Sequence, residues 1–66
     1  VTLTVNGEPR EVAAGTTLDA LIETLGLRRD GIAAALNDEV VPRGRHAATT
    51  LHDGDRLELI VAVAGG

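Results

Sequence analysis

The run Arg56-Leu57-Glu58-Leu59-Ile60-Val61-Ala62-Val63-Ala64 constrains this chain more than any other stretch. Strand alternation puts Leu57, Leu59, Val61 and Val63 on one face and Glu58, Ile60 and Ala62 on the other. Toward its end the run is apolar almost throughout, which suits a strand flanked on both sides rather than one at an edge. The chain has 66 residues from which to supply those flanks, enough for a single domain over 1–66. A domain of that size buries roughly 60% of the surface its unfolded chain exposes. Its stability is therefore a small remainder, and every other element has to serve this strand.

The flanking strands are legible upstream. Val1-Thr2-Leu3-Thr4-Val5 alternates apolar and polar residues, the mark of a half-buried strand. Asn6-Gly7 then gives the strongest short hairpin signal, because both central residues of a type I′ turn need positive φ. A return strand is predicted from about Glu8 to Val12. Pro9 lacks an N–H for the ladder, so that strand belongs at a sheet edge and Val1–Val5 lies further in.

Gly15-Thr16-Thr17 opens a helix, with either threonine fit to cap it and Asp19 and Glu23 near its positive end. Leu18, Leu21, Ile22 and Leu25 recur at helical spacing and form one apolar stripe, so the helix packs on one face of a sheet. Gly26 suits the residue after the C-cap, and Arg28 and Arg29 follow the negative end. Ile32-Ala33-Ala34-Ala35-Leu36 is a short apolar run without helical caps. Asn37-Asp38 supplies turn chemistry before a short strand, Glu39-Val40-Val41, that Pro42 ends. Arg43 to Thr50 reads as a loop with one tight turn, Leu51 as its anchor in the core, and Asp53-Gly54-Asp55 as the turn into the last strand. The order is ββαββ plus a terminal strand. It predicts an α+β fold, a mixed sheet of four to five strands packed on one main helix.

Composition removes most function classes. With no Phe, Tyr or Trp the core is aliphatic, and neither base stacking nor aromatic anchors are available. All six cations are arginine and the net charge is −4, a poor match for nucleic acid. Cysteine is absent, so no disulfide, zinc–thiolate site or thiol-borne sulfur is expected. No apolar run approaches the roughly 20 residues of a membrane span, and no signal-peptide pattern opens the chain, so no membrane role is expected and the cytoplasm is the expected setting. Lysine is absent as well, which leaves no side-chain amine for an isopeptide bond to this chain itself.

Catalytic constellations are weak. His46 and His52 stand near Asp53 and Asp55, yet Asp-Gly-Asp before a strand is ordinary turn chemistry, and no bound metal is expected. No Gly-rich phosphate loop is present, and one helix on one sheet encloses little of the few hundred Å³ a small substrate needs. Gly65-Gly66 differs. The pair follows the strand through small residues, and the expectation is a flexible tail over residues 64–66 whose carboxylate, on Gly66, is the reactive group. A carboxylate is a poor acyl electrophile until it is converted to an acyl-adenylate, which a sulfur or nitrogen nucleophile can then attack. Ala64, Gly65 and Gly66 would enter a partner's active site in extended form, and glycine permits close approach at no steric cost.

The chain resembles the ubiquitin-like β-grasp sulfur carriers, and among them the ThiS family. The resemblance spans the whole chain. It is carried by Asn6-Gly7-Glu8, Gly15-Thr16-Thr17-Leu18, the block from Ala35 to Arg43, Leu51 to Glu58, and the closing Val61-Ala62-Val63-Ala64-Gly65-Gly66. Such chains often carry an aromatic residue a few positions after the Pro-Arg; here that region reads Arg43-Gly44-Arg45-His46. The resemblance implies a carrier rather than an enzyme, binding no cofactor itself. A ThiF-type adenylyltransferase would use ATP and Mg to adenylate Gly66. A persulfide derived from a cysteine desulfurase would convert it to a thiocarboxylate, and a ThiG-type thiazole synthase would take the sulfur for the thiazole of thiamine. The face bearing Glu58, Ile60 and Ala62 is the expected docking surface, since Ile60 is large and apolar and lies opposite the helix-covered face. A small subunit of molybdopterin synthase, a β-grasp interaction module with an idle tail, and protein conjugation through Gly66 are the alternatives.

Overall fold

A computed structural model describes residues 1–27 and 31–61. Five strands, β1 (Thr2–Val5), β2 (Glu8–Glu11), β3 (Ile32–Leu36), β4 (Glu39–Val41) and β5 (Arg56–Val61), form one sheet in the order β2-β1-β5-β3-β4. The apolar run is the central strand, as its composition requires. β1 pairs with it in parallel, with Val5 beside Leu57, and β3 pairs antiparallel, with Ala34 beside Leu59 and Ile32 beside Val61. Parallel neighbours need a crossover, and the α-helix α1 (Leu18–Thr24) lies on the long connection between β1 and β5. Pro9 sits on β2 at the sheet edge, opposite Thr4.

Both hairpins turn on two residues at positive φ. Asn6 and Gly7 have φ of 53° and 83°, and Asn37 and Asp38 have 51° and 70°, the left-handed backbone of type I′ turns. Short strands can pair tightly through such turns because the turn twists with the sheet.

α1 has seven residues, a length at which an isolated helix is marginal in water. Its ends are therefore well satisfied. Thr17 is the N-cap, its Oγ1 accepting from Ala20 N–H at 3.2 Å, and Leu18 N–H donates to Thr49 C=O at 2.8 Å. At the other end Gly26, with φ of 73°, completes a Schellman motif: Gly26 N–H donates to Glu23 C=O and Leu27 N–H to Ile22 C=O. Leu18, Leu21 and Ile22 point into the sheet and meet Leu3, Ile32, Ala34, Leu51, Leu57 and Leu59 in one aliphatic core. Each fully buried leucine or isoleucine there contributes about 1.5–3 kcal/mol.

Two expectations change. Residues 43–48 are not a loop with one turn but a 3-10 helix, Arg43–Ala48, that seats His46 in the interior at 2% exposure. Its Nε2 donates to Val41 C=O at 3.0 Å, so the ring fills an interior place without leaving a polar atom unpaired. Val61, expected on the covered face with Leu57 and Leu59, is 51% exposed. Seven helical residues span only about 10 Å, too short to roof the end of β5. The expected course of the last strand through Ala62, Val63 and Ala64, and Arg28 and Arg29 after the helix, lie outside the described residues.

Candidate functional site

β5 is the rail that leads to the C-terminal segment, and it is gripped from both sides. Asp53-Gly54-Asp55 delivers the chain to it: Thr2 N–H donates to Asp53 Oδ1 at 2.6 Å, His52 N–H to Asp55 Oδ2 at 2.8 Å, and Thr4 N–H to Asp55 C=O at 3.0 Å. On the β3 side, Asn37 Oδ1 accepts from Arg56 N–H at 2.9 Å while Asn37 Nδ2 donates to Asp55 Oδ1 at 3.0 Å. The Arg56 guanidinium reaches Asp38 Oδ2 at 2.7 Å in an exposed pair. On the β1 side, Asn6 N–H donates to Leu57 C=O at 2.9 Å. The Asn6 carboxamide then makes two bonds to one residue: Leu59 N–H donates to Oδ1 at 2.8 Å, and Nδ2 donates to Leu59 C=O at 3.2 Å.

Among the described residues, none of the helices covers the sheet face away from α1. On it Glu58 and Ile60 are exposed, Ile60 at 65%, and their neighbours across β3 are Ala35 and Ala33. Val40, 77% exposed, lies beside Ala35 on the same face. Large apolar side chains over a floor of alanines make a shallow apolar patch with Glu58 at its side. The other face of β5 ends in a groove of about 430 Å³ between the β1–β2 hairpin and the end of α1, lined by Val5, Asn6, Leu25, Leu27, Leu59 and Val61.

The structure thus brings Glu58 and Ile60 together on one open face, as expected. Ala62, Ala64, Gly65 and Gly66 lie outside the described residues. His46 and His52 do not form a site: the first is buried against Val41, and the second has a largely exposed side chain with Nδ1 4.0 Å from Asp55 Oδ2. Among the described residues no three His, Asp or Glu side chains gather in a metal-holding group. Nor is any described helix long and apolar enough to cross a membrane. Sequence reasoning treated Asn6 and Asn37 as turn formers only. Their second role reaches residues remote in sequence, Leu59 and Arg56, and no local pattern announces it.

A mixed five-stranded sheet in the order β2-β1-β5-β3-β4, carrying one main helix, is the β-grasp of the ubiquitin-like proteins. The crystal structure of a thiamine biosynthesis protein (ThiS) from Geobacter metallireducens superposes with a TM-score of 0.83 at 35% identity, covering 100% of both chains. Residues 3–66 match the ThiS family, and the chain belongs to it. The sulfur carrier protein ThiS of Escherichia coli is 39% identical over 61 residues, 92% of each chain. A thiazole synthase of Paramagnetospirillum magneticum is 38% identical over 64 residues, and here the chain spans only 20% of the relative's length.

Proposed function

We propose that this chain is a sulfur carrier in thiamine biosynthesis, with the Gly66 carboxylate as the group that carries the sulfur. The observation that supports it most is membership of the ThiS family over residues 3–66, together with the near-full-length similarity to the carrier of E. coli. The chain itself is no enzyme in this reading. It is a co-substrate for two.

In the first step an adenylating enzyme of the ThiF type binds Mg-ATP and the extended tail Ala64-Gly65-Gly66. A carboxylate oxygen of Gly66 attacks the α-phosphorus, pyrophosphate leaves, and an acyl-adenylate forms. A persulfide from a cysteine desulfurase route attacks the acyl carbon and expels AMP. A thiol then cleaves the resulting S–S bond, forming a disulfide with the donor and leaving the thiocarboxylate on Gly66. With no cysteine in the chain, the acyl terminus is where sulfur can be held. A ThiG-type thiazole synthase accepts that sulfur; the stretch similar to this chain within a protein named thiazole synthase supports this partner over a molybdopterin synthase. The setting is the cytoplasm, where ATP is at hand for the activating enzyme.

Both enzymes must recognise a small surface, and the open face with Glu58 and Ile60 is the proposed docking site, Ala62 being the next position in the alternation of the sequence. Intact mass decides the main proposal. The chain is incubated with adenylating enzyme, Mg-ATP and sulfur donor, and exchange of one oxygen for sulfur at Gly66 is expected. An unchanged mass with partners that modify another carrier would sink it.

A further inference from the structure

β1 stops pairing with β5 at Val5 and Leu57, because the next residues turn away through Asn6-Gly7 into β2. Leu59 therefore presents an N–H and a C=O on that side with no strand backbone left to meet them. One side chain supplies both partners. The Asn6 carboxamide offers an acceptor and a donor in the arrangement of a backbone peptide, at 2.8 and 3.2 Å, and adds one more rung to the ladder. The turn alone does not call for this residue, since glycine takes φ of 53° with less strain.

We infer that Asn6 is a positioning residue for the C-terminal segment: its carboxamide holds β5 through Leu59 on the β1 side and so fixes the direction of the strand up to Val61, the last described residue before the segment that ends in Gly66. On the opposite side β3 pairs along β5 to Val61, so without Asn6 the end of the strand is held along one edge only. Leu59 to Val61 would then be less firmly held, and a partner's channel would have to order them on each binding event. That cost falls on capture of the carrier and not on the chemistry at the carboxylate.

Asn37 provides the control. It also sits at positive φ and also bonds β5 through its side chain, but at Arg56, the end of the strand remote from the tail. The inference rests on the carrier reading above, and the experiment separates the two. Asn6→Gly, Asn6→Asp, Asn37→Gly and the unmodified chain are compared by thermal melting, by amide hydrogen exchange, and by pyrophosphate release from the adenylating enzyme at saturating Mg-ATP. Asn6→Gly is expected to raise KM for the carrier about ten-fold, the scale of ordering one more backbone residue, with kcat within about two-fold. Exchange at Leu59–Val61 should quicken by a similar factor. Asn6→Asp keeps the acceptor for Leu59 N–H and should fall between. Asn37→Gly should lower the melting temperature comparably while leaving KM within about two-fold of the unmodified chain. Equal KM shifts in the two glycine variants, or an unmoved KM in Asn6→Gly, would overturn the inference. If the unmodified chain releases no pyrophosphate, the carrier reading fails instead, and hydrogen exchange still decides whether Asn6 holds the end of β5.

Discussion

Ile60 is the residue at which surface chemistry and function separate most cleanly. It is 65% exposed on a face that no described helix covers, beside Ala33 and near Val40. Single exposed apolar residues are common, so exposure alone argues little. The argument comes from their grouping over small neighbours on the strand that leads to the tail. Ile60→Asp is expected to weaken binding to the adenylating enzyme at least about ten-fold by titration calorimetry, the loss of a centrally placed apolar anchor. The melting temperature should move little, because a substitution on an open face usually costs within about 0.5 kcal/mol. A parallel fall in stability and binding would assign Ile60 to the fold instead. His46 is the opposite case. Nothing in Arg43-Gly44-Arg45-His46 marks the ring as interior, since a lone histidine has no period. Its burial comes from a 3-10 turn that aims it at Val41 C=O. His46→Ala should cost about 2–3 kcal/mol in denaturant unfolding, from the cavity and the carbonyl left without a partner.

At the scale of elements, what the sequence announced was whatever carries its own local signal. The stripe Leu18, Leu21, Ile22 and Leu25, the Asn6-Gly7 turn, the edge proline and the apolar final run each fix one element by short-range chemistry. Together they imply the observed strand order, because a central last strand and an inner first strand have to be neighbours. Two things escaped. The 3-10 helix lacks a repeating stripe, and the reach of Asn6 to Leu59 crosses 53 positions of sequence. The proposed tail, which lies outside the described residues, was read from the sequence alone, while the proposed docking face needed the sheet to be assembled before Ile60 could be seen beside Ala33. The helix also shows what its caps are for. Thr17→Ala removes the acceptor for Ala20 N–H and should cost about 1 kcal/mol, seen as a melting temperature lower by about 4–8 °C. Thr16→Ala is the comparison, because Thr16 Oγ1 donates to Ala13 C=O and caps nothing in α1, so its effect should be smaller.

For the molecule as a whole, the question is how a domain this small keeps one strand rigid while, in the proposed reading, the Gly66 carboxylate reacts in a partner's site. At roughly 0.05–0.15 kcal/mol per residue, a domain of this length holds only about 3–10 kcal/mol against unfolding. Leu57 sits where that reserve is concentrated: it is 1% exposed, lies on the central strand, and is flanked by Val5 of β1 and Leu36 of β3. Leu57→Ala should therefore cost about 2–5 kcal/mol, a large part of the total, and lower the melting temperature by roughly 8–40 °C. Sulfur loading should fall with the folded fraction and recover on cooling, because the tail itself is unaltered. Removal of Gly66 should do the reverse, abolishing loading at every temperature while the melting curve stays where it was. The two variants together divide the chain into a part that is needed only because it is folded and a part needed for its carboxylate. If Leu57→Ala loaded sulfur normally above its melting temperature, the domain would be dispensable to the adenylating enzyme and the docking face would lose its role. If removal of Gly66 lowered stability, the terminal residue would belong to the fold as well as to the chemistry.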